Sequence, residues 1–479
     1  MPRATATRAI SKPRVLLACV AVVVFALAAA TPGAWAASPP PPSGTTLRVP
    51  SQFADLEGAI EAAGPGDVIL LAPGTYPGGI EIPEDRPGIT IRGEDRNAVV
   101  FDGQDARTNA IEVTADGVTL ENMSAHNFTA NGFYWDEVDG YAGRYLTVWN
   151  VGLYGIYAIS SRGGVMEQSH VSGAADAAFY IGECQPCDAT IRNVTATLSA
   201  VGYSGTNAGG NLVVEDSRFL LNSVGILPNS FDVGLEPPPQ RDAIFRRNEV
   251  AGSGTVVTPR TTPLGGYYGV GIGIAGGQGN LVQDNVVRGS TRYGIAVFTS
   301  IDRASSWFPA RNEVIGNRVS DSVIADLALA GGTGAQNCFR DNEAATALPA
   351  SIVDTCTSFG TSDPQVEADL VKPPPELLHG LPIPPSYTEM AEPDDQPTMP
   401  LEPPVDAPTM GPSAGASAAA GSTTAPGATA AAGATPVPIP TAAVGEPVLL
   451  AAILVIVAVF ATVIVLVAFR GVRGQAGPP

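Results

Sequence analysis

Glycine or alanine followed by an apolar residue recurs at a nearly constant interval along the middle of the chain. The pairs lie 23 or 24 residues apart and are Gly132-Phe133, Gly155-Ile156, Ala178-Phe179, Gly202-Tyr203 and Gly225-Ile226, and Gly271-Ile272 and Gly294-Ile295 continue the series. Short β-rich runs and polar turns separate them, without the 3.6-residue pattern of a helix. This period predicts the coils of a parallel β-solenoid, in which each apolar residue of a pair points inward.

The residue after the inward one is a tyrosine in three successive coils, at Tyr134, Tyr157 and Tyr180. Because side chains alternate along a strand, these tyrosines are predicted to point outward and to stack at about 4.8 Å per coil. Such a ladder either binds sugar rings or stabilises the solenoid, and both interpretations stay open. Tyr203 takes the inward position of its coil and is expected inside.

A second series of Asn or Ser residues follows the inward residue by 13 or 14 positions in the regular coils, as Asn193 follows Phe179. The interval is longer in three coils, which end at Asn150, Asn248 and Asn317. The extra residues fall within 136–144, 229–241 and 299–311. We expect these insertions to project from one edge of the solenoid and to form the wall of a groove, where functional residues often lie.

The N-terminal part of the predicted solenoid carries a recognisable motif. Phe53, Leu56, Ile60 and Ala63 fall on one face of a short helix, which is expected to cover the first coil. Residues 59–76 run Ala-Ile-Glu-Ala-Ala-Gly-Pro-Gly-Asp-Val-Ile-Leu-Leu-Ala-Pro-Gly-Thr-Tyr and resemble the opening of right-handed parallel β-helix proteins of the pectin lyase-like superfamily. The resemblance covers roughly residues 45–358 and implies an all-β, right-handed parallel β-helix. It implies no single activity, since that family includes lyases, epimerases, hydrolases, adhesins and non-enzymes.

The two ends of the chain predict export and membrane anchoring. Residues 1–36 have the basic start, apolar run and small residues of a cleaved signal peptide, and 37–44 are a Pro-rich linker. After the β-helix, 359–447 are rich in Pro, Ala and Thr and predict a disordered stalk. Residues 448–469 predict a transmembrane helix, and 470–479 a short cytoplasmic tail. The expected location is the cell membrane with most of the chain outside, and the Arg-over-Lys bias favours a bacterial source.

The net charge and the lysine content of the 479-residue chain exclude some classes of binding partner and of catalysis. Its formal net charge is −20, which excludes a nucleic-acid-binding surface because phosphates require a basic face. Lys12 and Lys372 are the only lysines, so catalysis by a lysine within the β-helix is excluded as well. An exported acidic β-helix with a side groove favours an extracellular or cell-wall polysaccharide as partner.

Charged residues near the tyrosines suggest one enzymatic alternative, a polysaccharide lyase or uronate C5-epimerase. Such an enzyme neutralises a carboxylate with Ca²⁺ or Arg while a base removes the C5 proton. Candidates for proton transfer are Arg144, His170 and Tyr180, and candidates for a Ca²⁺ site are Asp136, Asp139 and Glu183. Candidates for binding substrate are Tyr134, Tyr157, Tyr180, Asp136, Glu137, Glu183 and Trp307. The alternatives are solvated carboxylates in a non-catalytic glycan-binding protein, or a structural or adhesion spacer.

Four cysteines remain after the predicted signal peptide. In an exported protein, their even number predicts two disulfides, Cys184 with Cys187 and Cys338 with Cys356.

Overall fold

The strands of successive coils pair in parallel and build three stacks along the chain. The computed structural model describes residues 44–261, 264–303, 305–331 and 336–400. Stack 1 consists of Thr46–Val49, Val68–Leu71, Thr90–Gly93, the first half of Val118–Phe128 and of Asp139–Val151, Arg162–Glu167, Ala189–Arg192, Gly209–Glu215, Arg241–Arg246, Leu281–Gln283, Glu313–Ile315 and Cys338–Arg340.

Stack 2 follows stack 1 after a turn of two residues in most coils, and stack 3 follows stack 2. In Val118–Phe128 and Asp139–Val151 the two stacks share one strand that bends at a single residue. Stack 2 consists of Gly74–Pro77, Val99–Asp102, the second half of Val118–Phe128 and of Asp139–Val151, His170–Ala174, Thr195–Thr197, Arg218–Leu220, Glu249–Ala251, Val286–Arg288, Arg318–Ser320 and Glu343–Ala344. Stack 3 is a separate sheet of Ile80–Ile82, Asn109–Val113, Asn131–Asp136, Ile156–Ile159, Ala177–Gly182, Val201–Thr206, Val224–Asn229, Val270–Ala275, Tyr293–Phe298, Ala325–Ala330 and Ala347–Leu348.

Short helices and one hairpin complete the described structure. Helix α1 spans Leu56–Ala62, starts at the side-chain cap Asp55 and buries Leu56, Ala59 and Ile60. Helix α2 spans Pro364–Val366 and α3 spans Pro375–His379, with a π-helical turn at Glu367–Val371 and 3-10 turns at Gly265–Tyr267, Ala350–Ile352 and Tyr387–Glu389. Ser300–Asp302 and Ser305–Trp307 form an antiparallel hairpin, and Thr355–Cys356 pairs antiparallel with Cys338–Arg340.

The predicted inward residues form one continuous column in the core. Phe133, Ile156, Phe179, Tyr203, Ile226, Ile272 and Ile295 pair coil to coil in register and are buried. The structure extends this column to Leu327, which the sequence analysis did not include. The preceding small residue is required because coils approach closely there: a Cβ on Gly132 would lie 2.5 Å from Gly155 O. The predicted parallel β-solenoid with coils of about 23 residues is therefore confirmed, and Tyr203 lies inside as expected.

Asparagine side chains stack at the turn between stacks 1 and 2. Asn248, Asn285, Asn317 and Asn342 form a chain in which each Nδ2 donates to the next Oδ1 at 2.9–3.1 Å. Asn150 does not belong to this series, because the one-residue turn of its coil is Tyr145, with φ +51°. The insertion predicted within 136–144 is therefore wrong, and only Glu137 and Val138 separate Asn131–Asp136 from Asp139–Val151. The other two insertions are present as residues 230–240 and 299–311.

Both predicted disulfides are present. Cys184 is bonded to Cys187 at the corner after stack 3, and Cys338 is bonded to Cys356 in the last coil.

The chain turns back after its last coil. Residues 364–399, which we call the C-terminal strap, run over the outside of the solenoid toward its N-terminal end. Val366 and Leu370 are buried at the outer face of stack 3. Asp369 Oδ2 lies 3.1 Å from Arg292 Nη2 and accepts a 2.7 Å hydrogen bond from Tyr293.

The strap then crosses stack 2. Arg260 donates to Pro382 O, and Met390 lies against Gly173. Arg96 donates to Pro397 O at 3.1 Å, and Asn97 exchanges two hydrogen bonds with Gln396. Met399 N and Thr398 Oγ1 both donate to Asn122 Oδ1.

The prediction that a disordered stalk begins at residue 359 is wrong for the strap. Its few apolar side chains pack against stack 3, and its backbone carbonyls accept hydrogen bonds from the solenoid. These contacts offset part of the conformational entropy that the strap loses on ordering. The signal peptide, residues 37–43 of the linker, 401–447 of the stalk, the span 448–469 and the tail 470–479 lie outside the described residues. Within the described ranges, no helix has the length and apolarity needed to cross a membrane.

Candidate functional site

Four tyrosines on the outer face of stack 3 pack together in three neighbouring coils. Tyr134, Tyr157 and Tyr180 pair in register, as the alternation predicts. The ring centroids of Tyr134 and Tyr157 are 4.6 Å apart with planes 17° from parallel, and those of Tyr157 and Tyr180 are 5.0 Å apart and nearly perpendicular. We call these three residues and Tyr154 the tyrosine cluster.

Tyr154 was missed by the sequence analysis because it precedes its strand and lies outside the two-residue alternation. Its ring stacks on Tyr157 at 4.4 Å and 17°, and lies 5.1 Å from Tyr180. The motif Tyr-Gly-Ile-Tyr at 154–157, whose glycine leaves no room for a side chain beside Ala178 O, is the local signal that could have identified it.

The tyrosine cluster is less exposed to solvent than the predicted outward-pointing ladder would be. Tyr134, Tyr154 and Tyr157 are half-buried, while Tyr180 is buried at 6% exposure. On the side where the strands begin, Thr261 N donates to Ala175 O, so residues 260–261 lie beside the cluster. The accessible surface of the cluster is therefore the part formed by Tyr134, Tyr154 and Tyr157.

Carboxylates surround this surface. Asp136 follows Tyr134 by two residues on the same face of its strand, and Glu112 pairs in register with Tyr134. Burial, and next to it the negative charge of Asp136, raises the pKa of Tyr134, while burial and Asp176 raise the pKa of Tyr154. Burial also raises the pKa of Asp176 to about 6, against a hydrogen bond to Tyr154 that lowers it.

Tyr180 is unsuited to removing a proton. Burial raises its pKa well above the ordinary tyrosine value, and Glu183 and Asp176 add to the rise. Its hydroxyl thus stays protonated at neutral pH and serves as a hydrogen-bond donor or packing surface.

Glu183 is hydrogen-bonded to the loop formed by residues 230–240. It is 4% exposed and accepts hydrogen bonds from Glu236 N at 2.9 Å and from Asn207 Nδ2 at 3.4 Å. Burial raises its pKa to about 7. Residues 230–240 in turn contact the hairpin, where Asp232 N donates to Asp302 Oδ2. The two insertions therefore support each other along one edge of the solenoid.

Arg144 lies on the opposite side of the coil, in stack 1. It belongs to a ladder of alternating charge, in register from coil to coil, made of Arg92, Glu121, Arg144, Glu167, Arg192, Glu215 and Arg246. Arg144 Nε and Arg192 Nε each lie 2.7 Å from a Glu167 carboxylate oxygen. Although burial raises the pKa of Glu167, these hydrogen bonds hold it below its usual value. Arg144 is thus structural, and charges of alternating sign at the coil spacing are the sequence signal for it.

His170 lies in stack 2, beneath the strap. Its Nε2 is 3.2 Å from Thr197 Oγ1. Arg144, His170 and Tyr180 occupy three different stacks, so the three residues proposed for proton transfer are not brought together.

Lowering the pH is expected to destabilise the fold through His170. Burial, with the charge of Arg96 second, lowers the pKa of His170 from 6.5 to about 4. Between these values the unfolded chain binds more protons than the folded one, so the free energy of unfolding falls as the pH drops, by up to about 3 kcal/mol. Urea denaturation at pH 7.5 and 4.5 measures the fall, and His170→Asn should reduce it.

His379→Asn is the control, because His379 is exposed. Asp176 and Glu183 act in the opposite direction, since their raised pKa values favour the folded state at low pH, and they contribute equally to wild type and variant. The same pH dependence in wild type and His170→Asn would contradict the assignment.

The proposed Ca²⁺ site is not assembled. Among the described residues, no group of three or more His, Cys, Asp or Glu side chains is placed to hold a metal ion. Asp139 is exposed and pairs with Arg162 at 3.1 Å, and Glu183 is bound to the 230–240 loop. Only Asp136 of the three lies beside the tyrosine cluster.

The remaining predicted binding residues are dispersed. Glu137 is an exposed turn residue with φ +55° between Asp136 and Asp139. Trp307 ends a hairpin that follows the strand four coils beyond Tyr180, and it lies against Gly276 three coils beyond, so it is about 14–19 Å from Tyr180 along the solenoid axis. Trp307 is therefore not part of the tyrosine cluster.

Comparison with known proteins agrees with the fold. Residues 131–319 match the family model described as "Right handed beta helix region". No curated protein matches the chain. The expected right-handed parallel β-helix is thus confirmed over the matched residues.

Three solved structures are distantly similar. The AlgE4 A-module of mannuronan C-5 epimerase from Azotobacter vinelandii is 13% identical, with 64% of this chain and 93% of that chain covered and a TM-score of 0.44. A mannuronic acid specific polysaccharide family 6 lyase from human gut microbiota is 14% identical (60% and 77% covered, TM-score 0.39). Pectate lyase Pel9A is 14% identical (65% and 78% covered, TM-score 0.39). Likeness at this level does not carry an activity over to this chain.

Proposed function

We propose that this parallel β-helix protein binds an extracellular or cell-wall polysaccharide on its tyrosine cluster. The observation that carries the proposal is the half-buried stack of Tyr134, Tyr157 and Tyr154, with centroids 4.4–4.6 Å apart. Flat aromatic surfaces pack against the apolar faces of sugar rings, while their hydroxyls form hydrogen bonds at the edge. The rigid solenoid holds this surface in place before binding, which limits the entropic cost.

Binding without bond cleavage is the version that the geometry supports best. Lyase or epimerase chemistry requires a proton acceptor and a neutralising cation at one point. Arg144 is bound to Glu167, His170 lies under the strap, and Tyr180 keeps its proton. The carboxylates beside the cluster, Asp136 and Asp176, then orient sugar hydroxyls by accepting hydrogen bonds.

The same proposal places the protein on the outer surface of a cell. The predicted signal peptide, 1–36, and the predicted span, 448–469, support export and anchoring. The strap itself ends beside Asn122, in the N-terminal third of the β-helix. Protease treatment of intact cells is expected to remove the β-helix and to leave the C-terminal tail protected, and full protection would contradict the location.

Loss of one aromatic ring of the cluster is expected to weaken glycan binding about tenfold, or 1.4 kcal/mol. Affinity electrophoresis of the purified full chain in detergent, in gels containing one polysaccharide each, measures the effect for Tyr134→Ala and Tyr157→Ala. Tyr157→Phe keeps the ring and should retain most of the affinity.

Tyr145→Asn is the matched control. Tyr145 is a partly exposed tyrosine at the turn between stacks 1 and 2, where φ is +51° and asparagine fits well. Equal retardation of Tyr157→Ala and wild type would contradict the proposal, and no retardation of the wild type by any glycan would leave a spacer or adhesion role.

A further inference from the structure

The outer face of stack 3 is open to solvent at its N-terminal end and covered farther along. Glu81, in the first strand of this sheet, is exposed, and Tyr134 is half-buried. Tyr180 is 6% exposed, and the residues that follow it in register, Ser204 and Leu227, are 8% and 5% exposed. The tyrosine cluster therefore lies where the open part of the sheet ends.

Later segments of the chain cover the sheet beyond the tyrosine cluster. Leu264 and Tyr268 belong to one buried apolar cluster with Val201 and Val224, which lie in the covered strands. Leu370 of the strap belongs to the same apolar cluster. A glycan chain lying on the tyrosines thus cannot continue along the solenoid axis toward the C-terminal coils.

The strap borders the tyrosine cluster on the side where the strands begin. Arg260, which lies beside the cluster, donates to Pro382 O of the strap. Tyr387 of the strap lies against Gly152, two residues before Tyr154, because a Cβ on Gly152 would be 3.4 Å from Tyr387 Cε1. A chain that crosses the cluster along the strand direction therefore meets the strap on this side.

The loop formed by residues 230–240 borders the cluster on the side where the strand of Tyr180 ends. Glu183 follows Tyr180 by three residues and accepts a 2.9 Å hydrogen bond from Glu236 N. Asn207 Nδ2 donates to Glu236 O, also at 2.9 Å. Because Glu183 and Asn207 are both buried, the loop is fixed to the solenoid at this position.

Resting on the function proposed above, we propose that the tyrosine cluster binds the end of a glycan chain and not an internal segment. An internal segment has to leave the site in two directions. The covered sheet, the strap and the loop close three sides, and the side of Tyr134 that faces the N-terminal coils is open. A chain end needs this one opening, whereas an internal segment would have to displace the loop or the strap and break the hydrogen bonds that hold them.

Shortening the glycan at constant mass tests this inference on the full chain in detergent. Isothermal titration calorimetry compares β-1,3-glucan, xylan, mannan and α-1,4-glucan, each intact and after partial acid hydrolysis to about one tenth of its length. Because hydrolysis multiplies the chain ends, the mass of glycan needed for half-saturation should fall about tenfold. Recognition of internal segments would leave that mass unchanged.

Opening one side of the site is expected to admit internal segments. Asn207→Gly removes an anchor of the loop, and the difference between intact and shortened glycan should then fall below about threefold. Asn211→Gly is the matched control, because Asn211 Nδ2 donates to Asp188 Oδ1 at an exposed corner. Both asparagines have positive φ, +49° and +55°, which glycine adopts readily. If Asn207→Gly does not fold, Glu183→Ala removes the other anchor.

The outcomes separate this inference from the proposed function. Half-saturation at the same mass of intact and shortened glycan, with binding lost in Tyr157→Ala, would overturn end recognition while the cluster remains a glycan site. An unchanged difference in a variant whose loop is released, as shown by faster proteolysis within residues 231–237, would also overturn it. Absence of binding to every glycan would overturn the proposed function itself.

Discussion

Arg96→Met is expected to lower the free energy of unfolding by about 3–5 kcal/mol. The guanidinium of Arg96 is 2% exposed. It donates to Thr147 Oγ1 at 2.7 Å, to Gln168 O at 3.0 Å, to Leu146 O, and to Pro397 O of the strap at 3.1 Å. Methionine fills much of the volume but donates nothing, so buried carbonyls lose their partners.

Urea denaturation followed by tryptophan fluorescence measures this loss, and limited proteolysis detects release of the strap. Arg162→Met is the matched control, since the Arg162 side chain is 61% exposed and its pair with Asp139 contributes little. We expect Arg96→Met to be cleaved within residues 387–399 much faster than wild type. A stability within 1 kcal/mol of wild type, with an uncleaved strap, would show that Arg96 does not join the strap to the solenoid.

Asn285→Ala is expected to cost a similar amount, about 3–5 kcal/mol, in the C-terminal half of the solenoid. Asn285 is fully buried in the asparagine stack. Its Oδ1 accepts from Asn248 N and Nδ2 at 2.9 and 3.1 Å, and its Nδ2 donates to Phe245 O and Asn317 Oδ1 at 2.9 and 3.0 Å. Alanine leaves both neighbouring coils with unpaired buried polar groups.

Asn342→Ala is the graded control at the end of the same stack. Asn342 is half-buried, its Oδ1 accepts from Asn317 N and Nδ2, and its Nδ2 donates only to Val314 O. Its loss therefore disturbs one neighbouring coil instead of two and should cost less than the loss of Asn285. Hydrogen exchange should also show faster exchange in the strands beside Asn285, Arg241–Arg246 and Glu313–Ile315. An equally small fall in the free energy of unfolding for the two substitutions would contradict stabilisation of the solenoid by the asparagine stack.

The period of the chain was sufficient to predict the solenoid and the direction of most core residues. Phe133, Ile156 and Phe179 occur at the coil spacing, and each must be preceded by a small residue because coils approach closely there. Tyr203 was predicted inside for the same reason. The error at residues 136–144 arose because Asn150 resembles the turn asparagines, while Tyr145 adopts the left-handed turn conformation that asparagine usually takes.

The strap could not be predicted from composition. Its proline content is typical of linkers, and the two apolar anchors, Val366 and Leu370, are too few to give a pattern. What orders it is a set of donors on distant coils, such as Arg96 and Asn97, which only the folded solenoid brings to one surface.

The candidate site was predictable in part. Tyr134, Tyr157 and Tyr180 follow from the alternation in each strand, whereas Tyr154 joins them through a turn. Arg144 and His170 are close to the tyrosines in sequence but lie in other stacks, because only two residues connect stack 3 to stack 1 after Asp136 and after Ile159. Residues that are close together in the sequence were therefore wrongly expected to lie together at one catalytic site.

Transfer of magnetisation from the protein to a bound glycan tests the central claim most directly. In saturation-transfer difference NMR of the full chain in detergent with a neutral oligosaccharide that it retains, irradiation of aromatic protons should reach the axial ring protons of the sugar. We expect strong transfer in wild type and in Tyr145→Asn, and loss of the transfer in Tyr157→Ala. Undiminished transfer in Tyr157→Ala would contradict binding at the tyrosine cluster.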